Sequence, residues 1–159
     1  MENFVFCNPT KIIFGKETIP EIGKEAKKYG KKALLVYGGG SIKKIGVYEQ
    51  VVESLKEHGI RFIEFSGVVP NPVLSHTREG SQKAKEWHVD MIIAVGGGSV
   101  LDESKTIAAG SMVDHDVWDF FIGKATATEA LPVLTVLTVA ATGSEMNGNA
   151  VITNEETKQ

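Results

Sequence analysis

MIIAVGGGS, residues 91–99, decides the fold: five uninterrupted apolar residues stop at three glycines and a serine. A short apolar run bounded by a glycine turn marks a strand buried on both faces, as in a parallel sheet. The same device stands earlier as ALLVYGGGS at 33–41. Between the two copies, Val47, Val51, Val52 and Leu55 recur at helical spacing until Gly59, and RFIEF at 61–65 alternates as a strand does. Pro70-Asn71-Pro72 then forces an extended turn, since each proline biases the residue before it away from helix, and a polar helix runs to about Trp87. Beyond the second copy, Val100, Leu101, Ile107 and Ala108 predict a helix through about Met112. LPVLTVLTV at 131–139 is the next strand candidate and AVIT at 150–153 another. Strands alternating with helices predict βαβ units. At the start, FVF at 4–6 and KIIF at 11–14 suggest a short antiparallel pair, followed by a helix from about Ile19 to Tyr29. The expected fold is therefore α/β: a Rossmann-like, doubly wound, mostly parallel sheet with a short N-terminal antiparallel pair, in one domain over 1–159.

Composition excludes several classes of function. The 159 residues are 42% hydrophobic, enough for one sizeable core, and carry a net charge of −3. A nucleic-acid binder needs a basic surplus that this chain lacks. Cys7 is the single cysteine, so no internal disulfide forms, and a reducing, cytoplasmic location is expected. The N-terminus lacks the basic start and continuous apolar stretch of a secretory signal. Apolar runs such as MIIAV are too short to span a bilayer, so no membrane association is expected.

Glycines at the carboxyl end of a parallel strand let a ligand approach the backbone, and the following helix offers unpaired N–H groups to an anion. In the second copy Ser99 is placed to cap the helix, with Asp102 as its capping-box partner. A glycine turn with a capping serine also serves simply as a tight connection, but two copies in one sheet favour phosphate or nucleotide binding. Neither copy spells G-x-G-x-x-G, and no Gly-Lys-Ser/Thr pattern is present. In the first copy, Gly38, Gly39, Gly40 and Ser41 are followed by Lys43 and Lys44, with no carboxylate to accept from a ribose hydroxyl. NADP(H) is therefore expected in preference to NAD(H), unless both lysines are simply solvated. A third cluster, TVAATGSEMNGN at 138–149, offers hydroxyls at Thr138, Thr142 and Ser144 to a phosphate or an amide, or else caps its own backbone.

Taken together, VGGGSVLDESKTIAAG at 95–110, VVPNPV at 68–73 and TVAATGSEMN at 138–147 resemble the iron-containing alcohol dehydrogenase family. NPTKIIFG and YGGGSIKKIGVYEQV resemble its butanol dehydrogenase and NADPH-dependent aldehyde reductase branch. The resemblance covers essentially the whole chain. It implies an N-terminal dinucleotide-binding domain, with Gly97, Gly98 and Ser99 at the pyrophosphate and Asp102 towards the nicotinamide. It further implies that Thr138 and Thr142 contact the cofactor, that Asn71 and Gly38–Ser41 line the adenosine side, and that Val151 lies against the nicotinamide region. Glu103 and Ser104 stand where the family commonly has small residues, and a helix-surface position is expected for them. In the family, iron or zinc is held by a further, helical domain. This chain ends before the corresponding residues, so no metal is expected within it.

The four histidines, His58, His76, His88 and His115, are dispersed and show no H-E-x-x-H spacing. Each is expected as an ordinary surface or helix residue, and Trp118, Phe120 and Phe121 are expected to pack beneath the sheet edge. The resulting expectation is an NADP(H)-dependent oxidoreductase of small aldehydes or alcohols which, acting alone, reduces aldehydes without metal. No catalytic residue is identifiable. Alternatives are an inert nucleotide-binding fragment or the cofactor domain of a glycerol dehydrogenase-like enzyme. Apolar surface left where a second domain would dock makes a homodimer plausible.

Overall fold

The computed structural model describes residues 7–158. Helix α1 (Glu21–Ala26) leads into β1 (Lys32–Tyr37), followed by α2 (Ser41–Lys44), α3 (Val47–Glu57), β2 (Arg61–Ser66), α4 (Leu74–Trp87), β3 (Met91–Gly96), α5 (Gly98–Gly110) and β4 (Val133–Leu137). Single 3-10 turns lie at Val117–Phe120 and Ser144–Met146. Among the described residues the sheet has four strands, all parallel, in the order β2-β1-β3-β4.

Alternate residues of the central strands feed two cores, as the period of two demands. Ala33, Leu35, Tyr37, Met91, Ile93 and Val95 point to one face, where Ile22, Ala26, Val51 and Leu55 cover them. Leu34, Val36, Ile92 and Ala94 point to the other, against Ala84, Leu101, Ile107 and Ala108. Helices α1 and α3 thus form one outer layer and α4 and α5 the other. The chain leaves β1 in one direction to make β2, then crosses over β1 to make β3. The winding therefore reverses between β1 and β3.

Several sequence expectations are corrected. FVF at 4–6 lies outside the described residues; its proposed partner, Lys11–Phe14, forms no strand, and Phe14 is 96% exposed. Lys11 instead ties this segment to α1 through a 2.6 Å ion pair with Glu25. Helix α1 is shorter than the expected 19–29, because the chain must turn at Gly30 into β1. That turn is fixed by the Asp90 carboxylate, which accepts from the Lys31 and Lys32 amides at 2.7 and 2.9 Å. The 150–153 segment makes only one isolated bridge, Val73 with Thr153. Its ladder cannot lengthen, since Pro72 has no N–H to donate and Leu74 already begins α4. Trp118, Phe120 and Phe121 pack not beneath the sheet but in a separate small core with Leu74, Val117 and Ile152.

The largest departure concerns α5. Glu103 and Ser104, expected on its surface, are both 0% exposed. The helix is covered by the sheet, by α4 and by the loop after β4, so little of its circumference meets water.

Candidate functional site

Parallel strands end together, and ligands of open α/β sheets bind outside those ends where the winding reverses. Here that point lies between β1 and β3, whose register pairs Tyr37 with Val95. Gly38–Ser41 and Gly97–Ser99 are therefore neighbours, as their repetition in the sequence suggested. A Cβ on Gly39 or Gly40 would meet nothing within 4 Å, so these positions border open space. Gly40 has φ 101°, a left-handed conformation that favours glycine. At Gly38 a Cβ would come 3.1 Å from the Val68 carbonyl, which brings the turn after β2 alongside. Asn71 stands in that turn, exposed, with φ 56°.

Helix α5 starts two residues earlier than a cap at Ser99 requires. Gly97 is the N-cap residue, with no side-chain hydrogen bond at the cap, so Ser99 lies inside the first turn. Asp102 is not its capping partner either. The Asp102 carboxylate accepts from the Ser144 hydroxyl at 2.5 Å and from the Val151 amide at 3.2 Å. The Gly98 and Ser99 amides that open α5 have no acceptor among the described residues, the arrangement that receives an anion. Thr142 stands against this end: a Cβ on Gly98 would lie 2.5 Å from its hydroxyl oxygen. Thr138 is half-buried, its amide continuing the sheet to the Gly96 carbonyl at 3.0 Å. Val151 is exposed and is held by Asp102 on the same side of α5.

Three arrangements were missed in the sequence. Lys105, one turn along from Asp102, donates to the Ser144 carbonyl at 3.0 Å, to Asn147 at its carbonyl and side-chain oxygens, both at 3.3 Å, and to the Asn149 carbonyl. Burial pushes its ammonium below the ordinary 10.5, while Asp102 pulls the other way. The i,i+3 spacing of Asp102 and Lys105 was the available signal. Second, Lys43 does not stand free beside Ser41. It lies over the Tyr37 and Tyr48 rings, 5.0 and 4.4 Å from their centroids, and 3.6 Å from the Glu64 carboxylate. Glu64 accepts from both tyrosine hydroxyls, and this hydrogen bond is the main reason the Tyr48 phenol is pushed up to about 12. Third, His76 is not an ordinary helix histidine: its Nδ1 lies 2.5 Å from the buried Glu103 carboxylate.

The other histidines are local: His58 Nδ1 meets the Ser54 carbonyl, His115 Nδ1 the Asp116 carbonyl, and His88 ends α4 with φ 50°. Among the described residues no three His, Cys, Asp or Glu side chains converge to hold a metal ion. The iron implied by the family resemblance therefore finds no donor set in them.

The family model of iron-containing alcohol dehydrogenase matches residues 9–159. The chain belongs to this family. Like other iron-containing alcohol dehydrogenases, it has curated relatives named for alcohol and aldehyde chemistry. It is 56% identical, over its whole length, to the probable NADH-dependent butanol dehydrogenase 2 of Bacillus subtilis, of which it covers 41%. It is 40% identical to the NADPH-dependent aldehyde reductase YqhD of Escherichia coli, with 99% of this chain and 41% of that one aligned. The crystal structure of NADH-dependent butanol dehydrogenase A from Thermotoga maritima superposes with a TM-score of 0.98 at 61% identity, covering all of this chain and 40% of that one. The chain thus spans about two fifths of the length of these relatives. No helix of the described residues is long and apolar enough to cross a membrane.

Proposed function

We propose that this chain binds a nicotinamide dinucleotide across the ends of β1 and β3 and acts as the coenzyme-binding part of an alcohol dehydrogenase or aldehyde reductase. The observation that carries this is the pair of glycine turns at the reversal of the winding, one of them opening a helix whose Gly98 and Ser99 amides have no acceptor among the described residues. The amides of Gly98 and Ser99 would receive the pyrophosphate, with the Thr142 hydroxyl beside them. The open Gly39 and Gly40 would let the adenosine half approach the backbone, with Asn71 on the β2 side. Asp102 keeps Ser144 and Val151 in place towards the nicotinamide end. A reduced nicotinamide bound there supplies hydride to an electrophilic carbon.

Two coenzyme preferences have specific support. For NADP(H), no carboxylate lies within 38–41 to repel a 2′-phosphate, and Lys44 is exposed nearby. For NAD(H), Lys43 is already committed to Glu64 and two tyrosines, and the Bacillus subtilis and Thermotoga maritima relatives are named NADH-dependent. Titrating the purified chain with NADPH and with NADH by fluorescence separates them; binding of neither at millimolar concentration refutes the proposal.

Reduction of a small aldehyde is the direction favoured for these residues acting alone. Its carbon is electrophilic from the outset, whereas an alcohol must first lose a very weakly acidic proton. Coenzyme consumption with a reactive aldehyde in excess chelator tests this, and a rate equal to the buffer blank leaves the chain a nucleotide-binding part without turnover.

A further inference from the structure

The loop after β4 curls back over α5 with its oxygens turned inward. The Ser144, Asn147 and Asn149 carbonyls and the Asn147 side-chain oxygen surround one ammonium, Lys105 Nζ, and the Asp102 carboxylate stands 3.6 Å from it. An ammonium carries three donors and no acceptor, so it satisfies a cage of oxygens as a bound cation does. We propose that Lys105 is a positioning residue for coenzyme binding: its ammonium is the resident cation that holds the 143–149 loop, and with it Thr142, against the open end of α5.

This rests on the coenzyme site proposed above. Of the other ties on the loop, one is charged, the Ser144 hydroxyl donating to the Asp102 carboxylate at 2.5 Å, and two are neutral: Asn8 donates to the Met146 carbonyl at 2.8 Å and Asn147 to the Gly143 carbonyl at 2.9 Å. Hydrogen bonds to a charged group are stronger than neutral ones, and Asp102 holds the loop at Ser144 alone whereas Lys105 reaches Ser144, Asn147 and Asn149, so Lys105 carries the larger share. Without it, the oxygens lose their shared donor and turn out to water. Thr142, whose hydroxyl lies next to Gly98, is the residue before Gly143, where the loop turns with φ 64°. Release of the loop therefore withdraws a hydroxyl from the site while leaving the sheet intact.

The test uses the full chain. Lys105→Met is compared with Lys105→Cys in a Cys7→Ser background, before and after aminoethylation, which rebuilds an ammonium of nearly the same reach. Amide exchange at Met146, bonded to the Gly143 carbonyl, and at Asn149, bonded to the Asn147 side chain, reports the loop. Amides of β3 serve as the reference. Lys105→Met is expected to speed loop exchange on the order of tenfold and weaken NADH or NADPH binding by a similar factor, with β3 unchanged. Aminoethylation restores both. Unchanged loop exchange overturns the proposal, and so does faster exchange with full coenzyme affinity. If Lys105→Met fails to fold, the two forms of Lys105→Cys supply the comparison. A wild-type chain that binds neither coenzyme refutes the functional proposal instead and leaves loop exchange to decide the latch.

Discussion

Replacing His76 by leucine should be among the most damaging single changes in α4. Glu103 is 0% exposed; one of its carboxylate oxygens has no partner among the described residues, and the other lies 2.5 Å from His76 Nδ1. The second ring nitrogen, Nε2, lies 3.2 Å from the Ser66 carbonyl. A carboxylate and a carbonyl both accept, so only the imidazolium, with two N–H groups, satisfies both. The Glu103 hydrogen bond is accordingly the largest cause raising His76 above its usual 6.5, with a lesser pull from Glu79. His76→Leu leaves a buried carboxylate with nothing to face, a loss of about 3–5 kcal/mol. At this chain length that lowers Tm by roughly 10 °C. Removing both partners, as His76→Leu with Glu103→Leu, should return stability to within about 1 kcal/mol of wild type. The sign with pH follows from the raised value. The pair contributes fully below 6.5, and its contribution fades as pH climbs through the higher folded pKa. Urea titrations at about pH 6 and about pH 9 should show a loss in wild type that the double variant lacks. A His76→Leu chain as stable as wild type, or a double variant with the same pH dependence, refutes the ion pair.

Other perturbations separate packing from binding. Gly80 faces Ile107 and Phe65, and a Cβ there would come within 2.8 Å of the Phe65 ring. Gly80→Ala should therefore cost about 1–3 kcal/mol in a urea titration while leaving the coenzyme affinity of the folded chain unchanged. Glu64→Gln removes the carboxylate that holds Tyr48 at about 12, so an ultraviolet tyrosinate titration should show one phenol moving down towards 10. The same variant frees Lys43, and paired titrations should show the NADPH to NADH affinity ratio rise. Gly38→Asp introduces a carboxylate beside the adenosine side and should lower that ratio about tenfold; an unchanged ratio removes Gly38 from the site.

The central strands were legible because β1 and β3 are buried on both faces and end at glycines, so period and punctuation agreed. Their adjacency made the repeated turn meaningful. The start of α5 was misread because glycines carry no side chain to mark a first turn, and Ser99 was the first residue that resembled a cap. The burial of Glu103 and Ser104 was illegible for a related reason. A helix covered on most sides has no clean polar stripe, and a carboxylate at such a position reads as surface unless its partner, 27 residues away, is known. Lys43 illustrates the opposite failure. Its place next to the first glycine turn was read correctly, but a strand-borne carboxylate and two tyrosines from different elements had already claimed its charge.

These misreadings converge on α5. Along its length the helix is fixed three times by side chains whose partners the sequence did not reveal: Glu103 to α4, and Asp102 and Lys105 to the loop after β4. Its N-terminal end has no side-chain cap, with Gly97 at the cap position and Gly98 opening the first turn. A helix anchored so heavily along its sides has little freedom to fray at its first turn, so the orientation of those first amides is set before any ligand arrives. Preorganisation of this kind lowers the entropy lost on binding. The coenzyme site proposed above would then need no lysine or arginine inside the second glycine turn to receive an anion: backbone would supply the donors, and charged side chains elsewhere on the helix would hold them in place.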